Sequence, residues 1–353
     1  MSGRPSNVVG IERLAEFPER IDVRSPAEYA LDHLPGAASH PVLDDAERAL
    51  VGTLHKQDSA FAARKAGAAL VAKNIAAMLE SAFAGRPREW QPLVYCWRGG
   101  KRSGALTHVL NEIGWKAVQL EGGYKAYRRH VIDELARLPQ AFAYRVICGV
   151  TGSGKSRLLQ ALAAAGAQVL DLEALARHRG SLLGDLPDAP QPSQKGFESA
   201  LCAELAALDP AQPVYIESES KKVGEIRVPQ NLIEAMWRSP CARVESTLAQ
   251  RLALLRAEYA HFIADPEALH GKLAHLTPLR GAAATARWRA LTAAGEWDAL
   301  VEDLLVEHYD PVYLRSIRAN YPRYETATAL ALPGIAEADF AAVAARIVAA
   351  GAG

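Results

Sequence analysis

Short apolar runs that end on a polar or charged residue recur along the chain, and segments with helical periodicity separate most of them. Runs of this kind are typical of strands buried in a parallel sheet, and their alternation with helices predicts an α/β fold. The strands predicted in this way are residues 20–24, 93–95, 144–148, 168–171, 213–217 and 241–245.

The chain is long enough for two domains of ordinary size, and a linker-like sequence at residues 137–140 separates two strand–loop–helix motifs. We expect residues 1–138 and 139–353 to form two α/β domains with mainly parallel sheets, the second with a helical C-terminal part. In the first domain, an alanine-rich stretch at about 44–90 has the apolar periodicity of a helix and predicts a helical insertion.

The first strand–loop–helix motif is residues 96–103, with the sequence C-W-R-G-G-K-R-S. A loop that leads into a helix N-terminus directs backbone N–H groups at one point and favours an anion there. Cys96 begins this loop, and the surrounding N–H groups and basic side chains predict a lowered thiol pKa and a reactive thiolate. The residues expected to hold the anion are Arg98, Gly99, Gly100, Lys101, Arg102 and Ser103.

The second motif, residues 149–156, is a complete G-x-x-x-x-G-K-S sequence between a predicted strand and a predicted helix. Such a P-loop wraps a diphosphate, with its lysine on the outer phosphate and its serine hydroxyl able to ligate magnesium. Asp171 and Glu217 end predicted strands, and each is a candidate to hold magnesium through water or merely to cap the next helix. Whether magnesium binds is left open. The expected diphosphate-binding residues are Gly149, Gly152, Ser153, Gly154, Lys155 and Ser156.

Composition narrows the class of protein. Lys+Arg and Asp+Glu balance at 40 each, so a nucleic-acid partner needs local basic patches. The four cysteines are widely spaced without a C-x-x-C pair, which argues against a zinc site or a disulfide framework and fits a reducing compartment. No apolar run approaches the length of a membrane span and the N-terminus lacks a signal region, so we expect a cytoplasmic protein.

Five ordered motifs in about the first 135 residues resemble a rhodanese domain: D-V-R at 22–24, E-Y at 28–29, H-x-P-G-A at 33–37, Y-C-x-R-G-x-x-R-S at 95–103 and L-E-G-G-Y at 120–124. Five residues lie between Cys96 and Arg102, whereas sulfur-transferring rhodaneses usually have four. The longer spacing resembles the C-x5-R loop of related phosphatases, which admits a tetrahedral phosphorus group.

The motifs after the P-loop extend the resemblance over residues 22 to about 256. They are D-L-E-A-L-A-R-H-R-G-S at 171–181, Q-P-S-Q-K at 191–195, F-E at 197–198 and I-E-S-E-S-K-K-V-G at 216–224. A rhodanese-like domain followed by a P-loop domain with these segments resembles the tRNA 2-selenouridine synthases. The resemblance implies a transferase that geranylates wobble 2-thiouridine in tRNA with geranyl diphosphate and then replaces the sulfur with selenium from selenophosphate.

The resemblance also implies roles for the two loops. The Cys96 loop would receive selenophosphate, and the P-loop would bind the diphosphate of the geranyl donor, with no tightly bound cofactor. Arg177, His178 and Arg179 would complete the diphosphate clamp, although such a basic run is as often a solvated face. The candidate tRNA contacts are Trp97, Tyr124, Lys125, Arg128, Arg129, Lys221 and Lys222, and for the aromatic residues internal packing is the commoner role.

Three other functions stay open from the residues. They are a P-loop kinase with a regulatory rhodanese module, a non-catalytic adaptor with two phosphate-binding modules, and a C-x5-R phosphatase. The phosphatase alternative lacks a common feature of its group, because Tyr95 stands where a histidine often precedes the cysteine. Whether Cys96 forms a covalent selenium adduct is also open.

Overall fold

The computed structural model describes residues 7–351, and the chain divides into two compact units. The first unit runs to Leu135 and also includes Ser193–Ala203. The second consists of Ala136–Pro192 and the chain from Glu204 onward. The predicted boundary near residue 139 is therefore incomplete, because it assigns Ser193–Ala203 to the second domain. A local sequence pattern does not show which distant segment a helix packs against.

Five short parallel strands form the sheet of the first unit: β1 (Val8–Val9), β2 (Arg20–Asp22), β3 (Ala37–Ser39), β4 (Leu93–Tyr95) and β5 (Val118–Leu120). Their order is β1-β5-β4-β2-β3, so the two strands predicted in this region are neighbours, with Ile21 paired to Val94. The carboxyl end of β4 leads directly into the cysteine loop.

The helices of this part of the chain are α1 (Pro26–Leu31), α2 (Asp45–Gln57), α3 (Ala60–Glu80), α4 (Lys101–Ile113) and α5 (Gly123–Arg137), with a 3-10 turn at Ile11–Glu16. Ser25 caps α1 in a capping box with Glu28. The predicted insertion forms α2 and α3, and residues 81–90, at its end, are not helical. Ile75 and Met78 of α3 pack in the core with β-strand residues, so the insertion completes the core of this unit.

The second unit has its own five-stranded parallel sheet: β6 (Tyr144–Cys148), β7 (Gln168–Leu170), β8 (Val214–Glu217), β11 (Cys241–Glu245) and β12 (Thr328–Ala331). Between β8 and β11 lies a small antiparallel pair, β9 (Lys222–Val223) and β10 (Ile226–Arg227). The order of the larger sheet is β12-β11-β6-β8-β7. The cysteine loop and the P-loop therefore follow strands of two different sheets, as expected.

The C-terminal part is not only helical, which corrects the prediction. Strand β12 pairs in parallel with β11, with Ala329 opposite Arg243. Its sequence, Thr-Ala-Leu-Ala, is short and mostly exposed, so it lacks the apolar run that marks a buried strand. This segment is extended because it pairs with β11, and its own sequence pattern does not predict a strand.

The remaining α-helices are α6 (Lys155–Ala164), α7 (Leu172–Ala176), α8 (Gln194–Ala207), α9 (Gln230–Arg238), α10 (Leu248–Glu258), α11 (Ala260–Ala264), α12 (Pro266–Ala274), α13 (Thr277–Ala293), α14 (Trp297–Leu304), α15 (Asp310–Asn320) and α16 (Glu337–Gly351). A 3-10 turn spans Leu138–Ala141, and a π-helical turn spans Leu305–Tyr309. Helices α6 and α16 pack together on the sheet through residues such as Leu158 and Val343. Within residues 7–351, none of the helices has the length and apolar character that crossing a membrane requires.

Candidate active sites

Cys96 follows β4 directly, and hydrogen-bond donors surround its buried thiol. The Ser103 hydroxyl donates to Cys96 Sγ at 3.1 Å, and the Gly100 N–H donates to the same atom at 3.3 Å. Burial by itself raises the pKa of Cys96, but these donors, together with the backbone N–H groups of Ser103 and Arg98, hold it below its ordinary value. The loop therefore lowers the pKa of the thiol, as the motif predicted.

Gln119 of β5 supports this loop, and sequence reasoning missed it. Its side-chain amide lies 2.9 Å from Ser103 Oγ, 2.5 Å from Gly99 O and 3.1 Å from Gly100 O. Donation to Ser103 Oγ leaves the Ser103 proton free to point at Cys96 Sγ. The only local signal was a polar residue between Val118 and Leu120 in an otherwise apolar strand.

The glycines of the L-E-G-G-Y motif allow α5 to begin against the cysteine loop. Gly123 has φ +56°, and a Cβ there would lie 2.2 Å from Cys96 O and 2.4 Å from Gly99 N. The close approach lets the Tyr124 N–H donate to Cys96 O at 2.8 Å and the Lys125 N–H donate to Trp97 O at 3.0 Å. A side chain at residue 123 is incompatible with this docking.

The basic residues of the loop divide into two kinds. Arg102 donates to Glu28 at 2.8 Å, and both side chains are largely buried. Burial alone would raise the pKa of Glu28, but the hydrogen bond and charge of Arg102 hold it below its ordinary value. Arg98 and Lys101 are exposed. The structure thus corrects one expectation, since Arg102 already has a carboxylate partner, whereas Arg98 and Lys101 offer charge to an incoming anion.

Tyr124, predicted as a tRNA contact, is instead a packing residue. Only 3% of it is exposed, its hydroxyl donates to Asp32 Oδ2 at 2.8 Å, and the Arg24 guanidinium lies 3.9 Å from its ring centre. Arg24 in turn forms a buried ion pair with Asp22 at 2.6 Å. No face of Tyr124 is left for a base, whereas Trp97 beside it is 37% exposed.

Arg128 is also not a surface contact. Its side chain is 11% exposed, pairs with Glu198 and lies 3.7 Å from Asp32 Oδ2, and it donates to Ser199 Oγ at 3.2 Å. Glu198 and Ser199 belong to Ser193–Ala203, so Arg128 holds that segment within the first unit. The other four basic candidates for tRNA contact are exposed: Lys125, Arg129, Lys221 and Lys222.

The P-loop connects β6 to α6 in the second unit. Gly152 and Gly154 have φ +74° and +89°, and a Cβ at either would lie within 2.8 Å of a neighbouring apolar side chain. Lys155 Nζ donates to Gly149 O at 2.8 Å and lies 5.4 Å from the Tyr313 ring centre. Ser153 Oγ is buried and has no hydrogen-bond partner among residues 7–351. The Lys155 side chain is thus folded back across the loop.

Three glutamates meet beside the P-loop serine. Carboxylate oxygens of Glu173, Glu217 and Glu219 lie within 4.8 Å of one another, and the Ser156 hydroxyl is 3.3 Å from Glu173 Oε2 and 3.2 Å from Glu217 Oε2. Burial raises the pKa of Glu217 to about 7 and that of Glu219 to about 8, with the charge of Glu217 adding to the latter. Burial and the charge of Glu217 also raise the pKa of Glu173 well above its ordinary value.

This oxygen-rich cluster fits a divalent cation. Carboxylate and hydroxyl oxygens are the ligands that magnesium prefers, and Glu217 Oε1 is buried without a hydrogen-bond partner among the residues that the structure describes. Asp171, the other predicted candidate, accepts the Ala174 N–H at 2.8 Å as the N-cap of α7. Sequence reasoning missed Glu173 and Glu219, and their signal was an acid two residues after Asp171 and after Glu217.

A cavity of about 1020 Å³ surrounds the P-loop and the glutamates. Arg179 lines it, with its guanidinium 5.3 Å from the Tyr259 ring centre. His178 also lines it but is buried, 3.3 Å from Asp185, and burial holds its pKa below the ordinary value. Arg177 is exposed and is not among the cavity-lining residues of the described chain. Of the three residues of the predicted clamp, Arg179 alone offers an unshared charge to the cavity.

The two folds and their loops define a class of protein in which a rhodanese-like domain with a C-x5-R cysteine loop is joined to a P-loop domain. A family model described as a rhodanese-like domain matches residues 11–130. A second model, described as the tRNA 2-selenouridine synthase AAA domain, matches residues 142–280.

Relatives that bear the name tRNA 2-selenouridine synthase match over about 70% of the chain, and three of them show the extent of the similarity. The chain is 39% identical to the one from Salmonella newport, over 70% of this chain and 67% of that protein. It is 37% identical to the one from Nitrosomonas europaea, over 68% of this chain and 63% of that protein, and 36% identical to the one from Marinobacter nauticus, over 68% and 65%. The chain belongs to the tRNA 2-selenouridine synthase family. Its match spans less than two thirds of the length of the Nitrosomonas europaea and Marinobacter nauticus relatives.

Proposed function

We propose that this chain converts wobble 2-thiouridine in tRNA to 2-selenouridine in two steps, geranylation of the sulfur and then replacement of the sulfur by selenium. The observation that carries the proposal is the presence of two anion sites of different chemistry in a chain of this family. One offers a buried thiol among N–H donors, and the other offers a P-loop beside buried carboxylates.

The P-loop cavity is the proposed site of geranylation. The thiocarbonyl sulfur bonds to C1 of geranyl diphosphate, the C1–O bond breaks with its electron pair going to diphosphate, and the nucleoside loses its N3 proton. Lys155, the loop N–H groups and Arg179 would stabilise the charge that develops on the departing diphosphate. Magnesium, when bound by Ser156, Glu173, Glu217 and Glu219, would add positive charge at the same place.

The cysteine loop is the proposed site for selenophosphate. Its N–H groups with Arg98 and Lys101 would hold the phosphate oxygens, and the Cys96 thiolate would lie against the donor. Selenium bonds to C2 of the base as the selenium–phosphorus bond breaks and the phosphoryl group passes to water. The geranylated sulfur leaves as a thiolate and takes one of the two protons of that water, and the other proton returns to N3 of the base, which completes the balance.

Nucleoside mass analysis of 2-thiouridine tRNA incubated with the chain, geranyl diphosphate and selenophosphate tests the proposal. We expect S-geranyl-2-thiouridine with geranyl diphosphate alone and 2-selenouridine with both donors. An unchanged nucleoside with both donors present contradicts the proposal. Turnover of added ATP to ADP without geranyl transfer would instead favour the P-loop kinase alternative.

A further inference from the structure

A small apolar pocket lies in the helical part of the second unit. Its volume is about 70 Å³, and side chains from α10, α11, α12 and α14 surround it. Leu269 and Leu300 are only 4% and 1% exposed, and both belong to the helical core. The apolar lining residues include Leu183, Leu255, Phe262, Leu269, Leu300 and Leu304.

This pocket and the P-loop cavity share a wall. Thr151 of the P-loop lines both, as do Ser181, Leu255, Tyr259 and Tyr309. The Tyr259 and Ser181 hydroxyls are hydrogen-bonded to each other at 3.3 Å, so each already satisfies the other within the wall. The five shared residues are uncharged, so a molecule with its diphosphate on the P-loop can extend an apolar group along this wall toward the pocket.

We propose that this pocket binds the isoprenoid tail of a prenyl diphosphate donor. The inference rests on the proposed function, which puts the diphosphate on the P-loop, and it adds the site that recognises the rest of the donor. The apolar lining favours a hydrocarbon chain over a nucleotide base, because a base buried there would lose the hydrogen bonds of its polar edge. Each methylene taken from water into such a site raises affinity about fourfold.

The size of the pocket sets a limit on the tail. An apolar cavity of about 150 Å³ holds benzene, so a pocket of about 70 Å³ holds only the distal end of a branched chain. The first carbons of the tail then lie along Tyr259 and Tyr309 at the shared wall. A shorter dimethylallyl chain covers less of this apolar lining, and a longer farnesyl chain that enters the pocket has to displace the buried Leu269 or Leu300.

Ile263→Trp tests the pocket without disturbing the core, because Ile263 lines its edge and is 36% exposed. Leu279→Trp is the matched control, since Leu279 is 71% exposed and is not among the lining residues of either cavity in the described chain. Calorimetric titration without tRNA compares the affinities for geranyl diphosphate, dimethylallyl diphosphate, farnesyl diphosphate and inorganic diphosphate.

We expect the parent chain to prefer geranyl diphosphate to each of the other three by about tenfold or more. Ile263→Trp should weaken geranyl diphosphate about tenfold and leave inorganic diphosphate unchanged, and Leu279→Trp should change neither. Equal binding of geranyl and inorganic diphosphate by the parent overturns the inference, as does an Ile263→Trp variant that weakens both ligands equally or neither.

Geranyl transfer to 2-thiouridine tRNA, measured separately, distinguishes failure of the pocket from failure of the proposed function. If the parent binds geranyl diphosphate more tightly than inorganic diphosphate, Ile263→Trp loses that preference, and no geranyl transfer is detected, the result supports the pocket and contradicts the proposed function. Transfer by the parent together with tail-independent binding supports the function and overturns the pocket.

Discussion

At the scale of single residues, the chemistry that we propose for the first unit depends on the Cys96 thiol, whose pKa its neighbours lower. The Ser103 hydroxyl contacts Cys96 Sγ, and Gln119 contacts the Ser103 oxygen. Burial by itself would raise the pKa of Cys96. The hydrogen-bond donors around the thiol, which are a hydroxyl and backbone N–H groups, offset that effect without a charged side chain. The exposed side chains of Arg98 and Lys101 are then available to bind the proposed substrate, selenophosphate.

Removal of the Ser103 hydroxyl should raise the pKa of Cys96. A hydrogen bond to a charged group contributes about 1.5–3 kcal/mol, and one pKa unit is about 1.36 kcal/mol, so Ser103→Ala should raise the apparent pKa by about one unit or more. The pH profile of Cys96 alkylation by iodoacetamide, followed by mass, measures this. Thr107→Val, one turn along α4, is the control. Superimposable profiles for the parent and Ser103→Ala would show that the hydroxyl does not stabilise the thiolate.

Substitution of one residue in each loop should separate the two proposed steps. Cys96→Ser should accumulate geranylated tRNA, because a serine hydroxyl has too high a pKa to replace a thiolate. Lys155→Ala should slow geranylation by about 10²–10³ because it removes one electrostatic donor to the leaving diphosphate. Nucleoside mass analysis counts both products, with pre-geranylated tRNA as the substrate for the second step. Loss of both steps in both variants would indicate one composite site.

Magnesium should stabilise the chain through the glutamate cluster. A ligand at 100 times its Kd adds about 2.7 kcal/mol to the free energy of unfolding, so millimolar magnesium should raise the melting temperature of the parent. Glu217→Gln should abolish most of that rise, while Glu198→Gln in the first unit should retain it. Melting curves with and without magnesium, followed by circular dichroism, give the comparison. An equal rise in parent and Glu217→Gln would exclude the cluster as the site.

At the scale of elements, the start of α5 controls the shape of the cysteine loop. Two backbone hydrogen bonds join α5 to the loop, and Gly123 is the residue whose missing side chain permits them. The P-loop is supported in a similar way, because Gly154 lies against Phe340 of α16. Each anion loop thus depends on a helix that follows it later in the chain.

Gly123→Ala should cost more stability than backbone strain alone explains. The control is Gly36→Ala, because Gly36 has a comparable φ of +72° with no atom within 4 Å of an added Cβ. Left-handed strain costs roughly 1–2 kcal/mol in either variant, and only Gly123→Ala adds a clash with backbone atoms. Urea unfolding midpoints measure the difference, and Cys96 alkylation should change in Gly123→Ala alone. Equal losses in the two variants would contradict the docking role.

At the scale of the whole molecule, the charges sum to zero, so the tRNA binding that we propose has to come from local basic groups. Arg128, Arg102 and Arg24 are occupied by carboxylates within the first unit. Lys125 and Arg129, by contrast, are exposed on α5 beside the cysteine loop. We therefore expect Lys125 and Arg129, rather than the largely buried Arg128, to contribute to the salt dependence of binding.

Lys125→Ala with Arg129→Ala should flatten the dependence of log affinity for tRNA on log salt concentration. Loss of two phosphate contacts should reduce the slope by about 2. Lys65→Ala with Lys73→Ala removes the same charge from exposed positions on α3 and should leave the slope near that of the parent. Filter binding at several salt concentrations measures both. Equal slopes in all three proteins would place the tRNA elsewhere.

The sequence by itself determined the features whose cause is local. The two strand–loop–helix motifs, the cap of α1 and the helical insertion all follow from residues within one or two turns of each other, and all are present in the structure. Periodicity and capping chemistry act over that range, so a pattern of residues is enough to predict them.

Only the tertiary structure decided which charged and polar groups meet. Arg102 meets Glu28, Arg128 meets Glu198, Gln119 meets Ser103, and β12 joins a sheet whose other strands lie far earlier in the chain. Long-range pairing depends on how strands and helices pack, which no local pattern encodes. The same packing that neutralises Arg128 leaves Lys125 exposed, and it collects Glu173, Glu217 and Glu219 into one cluster.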